Sequence, residues 1–402
     1  MLKWLSIFVA LLFASSLTAQ GSSGSTNLFD RDIGGAPAID KQGLVEVGAD
    51  RVGFGLDARA GAGHDDNIFN VDRHKEDGFF AEFFGKAHYG TKIFDLFEVG
   101  VRGRAVDRFY FDGAHEHHED EAHDHHLWDV RLGGFLRHRA AKPGDLGFGV
   151  SADLIYQKAR YYELTGPVLR FFKTNRTAII GRVYGEYNVF SFMGLELGVT
   201  GSHSDFSEDN LVESPDYWNL GVDFGVYLRF WDFLQFKPYV GFEYDSFRDV
   251  LDQNDDGSIS KTDDKLQLLR WRFGVEARVQ IVELLTLMGR AYVARQDDSA
   301  QGFQRYTQYG AEVATQWKVS IVRIFGGLKA WAREYDDRFR FDSNLEQESV
   351  LEQFFGFYGE VRVNFFWRLY AGGRVDYDRR SSRIDNRGFA NTQWQVFVGL
   401  DF

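Results

Sequence analysis

The chain has 402 residues, 16% of them aromatic, with 43 Gly, only 5 Pro, no Cys and a formal net charge of −13. That acidic balance argues against a nucleic-acid binder, which needs basic patches, and the missing Cys excludes disulfides and a lipid anchor on a cysteine. Aromatic and Gly enrichment suits strands with rings at a membrane interface and a crowded interior.

Met1-Leu-Lys3 is a short positive segment, Trp4 to Phe13 an apolar run, and Ser15-Ser-Leu-Thr-Ala19 a string of small residues. This order predicts an export signal over 1–19, cut after Ala19. The run is short for a membrane anchor, and the polar Gln20-Gly-Ser-Ser-Gly follows at once. No later stretch approaches the roughly eighteen apolar residues of a spanning helix, so an exported chain of this kind is either soluble or a barrel. Residues 20–51 are Gly/Ser-rich and then mixed, and read as a periplasmic segment. Residues 52–402 read as one strand-rich unit.

Within that unit, period-two alternation marks strands. The first is 52–66, with Val52, Phe54, Leu56, Ala58 and Ala60 on one face. Others follow near 78–91, 97–111, 127–140, 146–162, 176–190, 195–206, 217–231, 235–248, 265–282, 286–298, 305–320, 324–339, 352–367, 368–382 and 392–402. The pattern predicts an all-β fold, a transmembrane antiparallel up-and-down barrel of about sixteen strands, even in number as bacterial barrels are. The clearest strand has Leu220, Val222, Phe224, Val226, Leu228 and Phe230 on one face. Asn219, Gly221, Asp223, Gly225, Tyr227 and Arg229 fall on the other.

The links alternate between two kinds. Ile93–Phe97, Phe190–Gly194, Trp231–Leu234, Val282–Leu285 and Phe366–Tyr370 are short and apolar, as periplasmic turns at a membrane interface would be. The segments 67–77, 112–126, 163–175, 207–216, 249–264, 299–304, 340–351 and 383–391 are longer and acidic, and read as outer loops. Both termini then fall in the periplasm.

The inward positions carry charges of both signs. Arg229, Arg270, Arg272, Arg278, Arg362 and Arg374 are expected to line a pore with Glu243, Glu276, Glu312 and Glu360. So many charges need water or mutual pairing, because an unpaired charge in a dry interior is too costly. A cylinder this wide holds water; the competing reading is a lumen packed shut by Arg–carboxylate ladders. No segment is long enough to form a separate plug domain.

Two loops carry possible metal chemistry. Asp252, Asn254 and Asp256 stand at positions one, three and five of a calcium-type loop. Gly257 follows at six, Ser258 at seven with its carbonyl, and Asp263 at twelve. This spacing resembles the loops of dockerin and thrombospondin-type calcium modules, but has Asp at twelve and strands for flanks; an ordinary acidic turn is the alternative. If the loop holds Ca2+, Asp252→Ala with Asp256→Ala lowers calcium affinity and exposes the loop to protease. Unchanged calorimetric titration and unchanged digestion would remove the site. The second loop places His115, His117 and His118, then His123, His125 and His126, around a patch of acids. Imidazoles suit Zn2+, Cu2+ or Ni2+. The spacing makes no closed tetrahedral site, so the reading is a loose scavenging loop or a solvated tract that charges near pH 6.5.

The final stretch, Thr392 to Phe402, points Trp394, Val396, Val398, Leu400 and Phe402 one way. Gln393, Gln395, Gly399 and Asp401 point the other, with Phe397 the apolar exception. It resembles the closing strand of a bacterial outer-membrane β-barrel, where a terminal Phe is the usual assembly signal. Asp65-Asp-Asn-Ile-Phe69 resembles the end of the first strand in poorly characterised outer-membrane barrels, including porins and barrels linked to exopolysaccharide or surface-lipoprotein export. The resemblance implies outer-membrane lipid and lipopolysaccharide around the wall and the barrel-assembly machinery at Phe402. No G-x-S-x-G, H-E-x-x-H, phosphate loop or Cys nucleophile is present, and neither His138 nor His203 is given a catalytic role. The expected function is a porin-like channel passing small hydrophilic solutes by passive diffusion. The runner-up is an export barrel for an exopolysaccharide or a surface protein, and the third class is a structural or adhesive barrel without an open pore.

Overall fold

The alternation becomes sixteen antiparallel strands, each paired with its sequence neighbours, and the last pairs with the first. The computed structural model describes residues 53–66, 77–94, 96–111, 127–140, 142–165, 168–207, 216–230, 233–251, 265–282, 284–298, 305–341, 347–365, 368–382 and 388–402. For 158–165, 168–174, 249–251, 337–341 and 347–350 it describes backbone alone. The expected export signal, the segment 20–51 and both metal loops lie outside the described residues.

The first quarter of the wall is β1 (Gly53–Asp65), β2 (Gly78–Ile93), β3 (Phe97–Phe111) and β4 (Leu127–His138). Next come β5 (Leu146–Thr165), β6 (Val168–Phe190), β7 (Met193–Ser207) and β8 (Tyr217–Phe230). The far side is β9 (Leu234–Leu251), β10 (Lys265–Val282), β11 (Leu285–Asp298) and β12 (Tyr306–Val319). Then β13 (Val322–Phe341), β14 (Gln347–Asn364), β15 (Leu369–Ser382) and β16 (Phe389–Asp401) return to the start. The seam joins Ala58 to Leu400 and His64 to Trp394, and Leu56 and Phe402 exchange backbone hydrogen bonds beyond it. Among the described residues no strand edge is left unpaired, which is the condition for crossing a layer without water.

The strand bounds follow the alternation, with two corrections. Residues 163–175 and 340–351 are largely ladder rather than loop. β5 runs to Thr165 and β6 starts at Val168, while β13 runs to Phe341 and β14 starts at Gln347. Period-two hydropathy marks only the part of a strand whose two faces differ. The backbone ladder of both hairpins continues past the end of the regular alternation.

Following paired positions once round the wall displaces the starting point on β1 by about 20 residues, the shear of the barrel. With strands about 4.8 Å apart and about 3.3 Å per residue, sixteen strands and this shear give a tilt of about 40° and a backbone radius of about 16 Å.

The outer face is apolar and exposed: Phe83, Val101, Leu132, Ile179, Leu197, Trp218, Phe273, Val396 and Val398 all point away from the axis. Such a surface suits hydrocarbon, not water. At the end where the links are short, Phe94, Phe192, Phe233, Ile321 and Phe365 are also exposed. Phe94, Ser320 and Arg368 sit there with φ of 54°, 53° and 66°. Holding a bulky residue in the left-handed region costs about 1 kcal/mol, which the closed ladder on either side over-determines.

Candidate functional site

The inner wall is the other half of the same alternation. Its glycines open space for rings from the next strand. A Cβ at Gly310 would lie 2.3 Å from the Tyr292 ring, one at Gly274 2.5 Å from Tyr239, and one at Gly399 2.5 Å from Tyr370. Phe397, the apolar exception of the last strand, is explained in the same way. It is buried on the inner face, packs edge-on against Tyr370 at 6.0 Å, and occupies the space that a side chain at Gly372 would need.

Arginines lie over these rings and reach carboxylates beside them. Arg59 on β1 stacks on Phe84 and Phe397, and donates to Glu82 on β2 and Glu360 on β14, each at 3.4 Å. Arg108 on β3 donates to Glu82 at 2.6 Å and stacks on Phe80. Arg362 donates to Glu360 at 2.5 Å and to Asp57 at 3.3 Å, while Arg374 holds Asp376 at 2.6 Å. Gln395 and Gln393, the polar side of the last strand, donate to Glu82 and Asp65 at 3.2 and 2.7 Å. Further round, Arg270 bonds Glu243 at 3.3 Å and also Asp245, and Arg290 bonds Glu312 at 2.8 Å. Near the other rim Arg333, 1% exposed, donates to Gln308 at 3.0 and 2.9 Å. It faces Glu352, 0% exposed, at 3.8 Å.

From β4 to β8 the wall is more open. Arg102, reaching over from β3, holds Asp153 at 2.7 Å with its side chain 42% exposed. Arg131 holds Asp129 at 2.8 Å. Arg182 bridges Glu196 and Asp223, both at 3.1 Å, and Lys237 and Tyr227 also donate to Glu196. The ion pairs named here step sideways along the wall, the widest, Arg59–Glu360, Arg362–Asp57 and Arg323–Asp401, by three strands. A charge held this way keeps its hydrogen bonds within the wall layer.

All ten residues expected to line a pore are on this inner face. Arg270, Arg272, Glu243, Glu312, Glu360 and Arg362 are buried in the wall layer, Arg278, Glu276 and Arg374 are half-buried, and Arg229 is exposed. The structure joins Arg270 to Glu243, and Glu360 to Arg362 and Arg374. Arg59, Asp57, Arg108, Lys329, Glu352 and Arg380 belong to the same layer and are absent from the ten. Their period-two phase was the available signal. The metal-loop residues Asp252, Asn254, Asp256, Ser258, Asp263, His115, His117, His118, His123, His125 and His126 lie outside the described residues. Among the described residues no group of three or more His, Asp or Glu is placed to hold a metal. His203 sits on the outer face stacked on Trp218 at 4.3 Å, and His138 meets the Leu96 carbonyl at 2.8 Å.

No protein-family model and no curated protein sequence matches the chain. Solved structures do. A bacterial polysaccharide outer-membrane secretin aligns over 87% of this chain and 98% of its own, with 9% identity and a TM-score of 0.39. OpdK of Pseudomonas aeruginosa, solved with vanillate, aligns over the same shares with 9% identity and a TM-score of 0.40. CdiB from Escherichia coli covers 86% of this chain and 63% of its own, with 8% identity and a TM-score of 0.47. The closed antiparallel β-barrel of this chain stands on its own strand ladder.

Proposed function

We propose that the chain is an outer-membrane channel through which small hydrophilic solutes diffuse passively along a charged lumen. One observation carries this reading: charges on the inner face of a sixteen-strand cylinder pair sideways with residues of strands no more than three away. About 6 Å of side chain on each side of a wall of about 16 Å radius leaves a bore on the order of 20 Å, wide enough for water. The apolar outer face supports placement in a lipid layer, with the short turns and both termini on the periplasmic side and the longer connections outside. Lipid and lipopolysaccharide then contact the outer face, and Phe402 is the handle for the assembly machinery. The Ca2+ loop and the Zn2+/Cu2+/Ni2+-binding His tract are proposed as features of the outer connections.

The full mature chain, refolded into detergent and added to a planar bilayer, is expected to give stepwise ohmic conductance that scales with salt concentration. Insertion without current would refute the channel and favour the closed structural barrel. Conductance together with loss of a surface polymer or surface protein in a deletion strain would favour the export reading.

A further inference from the structure

Arginines of the inner wall are matched to carboxylates or hydrogen-bond acceptors in nearly every instance described above. Two of them are different. Arg229 on β8 and Arg278 on β10 make no side-chain ion pair or hydrogen bond among the described residues. They flank a single residue: Gln235 on β9 pairs with Arg229 on one side and Arg278 on the other. The three side chains form a row across adjacent strands on the inner face, near the end where the links are short. Arg229 and Gln235 are exposed and Arg278 is half-buried. Two strand spacings separate the arginines, about 10 Å at the backbone, so two flexible guanidinium groups can close on one small ion between them.

The nearest acids have further cations beside them. Glu276 precedes Arg278 by two residues on the same face without bonding it, and is paired across the strands with Lys237 and Arg290, which bond Glu196 and Glu312 respectively. Glu186 lies within electrostatic reach of Arg229, but also of Arg139 and Arg137. Asp232 and Glu283 belong to the adjoining links, outside the described residues. Two strands further round from Arg278, Lys318 on β12 is exposed on the inner face beside Arg323, which is taken by Asp401. A wall that ties its structural arginines to carboxylates and leaves two nearby guanidinium groups without a bonded acceptor presents a site for a mobile counter-ion. Guanidinium forks around a carboxamide supply donors in the plane and spacing that oxyanions accept.

We propose that Arg229 and Arg278, with Gln235 between them, form an anion-binding step in the lumen, selective for small oxyanions such as carboxylates and phosphates. This rests on the chain being a channel. The full chain in a planar bilayer under a KCl gradient tests it through the reversal potential. Replacing Arg229→Gln and Arg278→Gln together is expected to lower the chloride-to-potassium permeability ratio by about threefold, with the conductance of the open channel retained. Inorganic phosphate added at the short-turn side is expected to reduce the wild-type chloride current. The double variant should need about tenfold more for the same reduction, and acetate in place of phosphate separates a general carboxylate preference from a phosphate one. A conducting double variant with unchanged reversal potential and unchanged phosphate sensitivity overturns the anion site and leaves the channel standing. Wild-type protein that inserts and passes no current overturns the channel itself. Should the double variant fail to insert, each single replacement is expected to shift the potential in the same direction. A wild-type current indifferent to phosphate and to acetate refutes the site without any variant.

Discussion

Replacing Glu352 with Ala is expected to destabilise the folded barrel by about 3–5 kcal/mol, the cost of removing one partner from a buried charge cluster. Glu352 is 0% exposed. It accepts from Arg380 at 2.7 Å and from the Tyr335 hydroxyl at 3.3 Å, and faces Arg333 at 3.8 Å. Arg333 is fixed from several sides: it stacks on Tyr306 at 4.3 Å and on Trp331 at 4.8 Å, and gives two hydrogen bonds to Gln308. It therefore has no free path to water once the carboxylate has gone. Truncation leaves two guanidinium groups short of the charge they share, in a layer whose low polarity strengthens their repulsion. Glu352→Gln keeps the shape and part of the hydrogen bonding and should cost about half as much. Urea unfolding in detergent micelles, followed by the gel-mobility difference between boiled and unboiled protein, measures both. A loss below about 1 kcal/mol for the Ala variant would show that the cluster is hydrated and the inner wall softer than its burial implies.

The strands were legible because their signal is local. Each face of Tyr217–Phe230 can be assigned from fourteen consecutive residues, and the same rule placed the other fifteen to within a few positions, except where β5, β6, β13 and β14 run on beyond the regular alternation. The sign of each inward charge was legible by the same phase. The partnerships were not. Arg59 and Glu360 are 301 positions apart in the chain, and they meet only because β1 closes on β16 and the shear brings β14 to the right height. Nothing in a sequence window states the shear. The division between a dense wall from β9 round to β3 and a more open one from β4 to β8 is likewise a product of closure. Phe397 illustrates both limits. Its phase placed it inward, against its hydropathy, and only the open space over Gly372 shows why a ring belongs there.

The membrane placement rests on the outer face, and a single charge tests it. Phe224→Arg is expected to cost about 2–4 kcal/mol, the penalty for arginine near the middle of a bilayer-spanning strand. Phe224 stands midway along β8, 40% exposed on the outer face, between Leu197 on β7 and Val240 on β9. Both neighbours are apolar, so an introduced guanidinium has no counter-ion beside it and must reach for the interface along the wall. In water the same replacement at an exposed position would change stability by less than about 0.5 kcal/mol. The adjacent residue is the control. Asp223 faces the lumen and accepts from Arg182 at 3.1 Å, but Arg182 also donates to Glu196. Asp223→Asn therefore leaves that guanidinium with a partner, and should shift ion selectivity while costing about 1 kcal/mol or less. Folding yield into lipid vesicles, with denaturant titration of the inserted form, compares the two. Equal tolerance of both replacements would mean that the outer face does not meet hydrocarbon, and a large loss confined to the lumenal variant would reverse the assignment of the two faces.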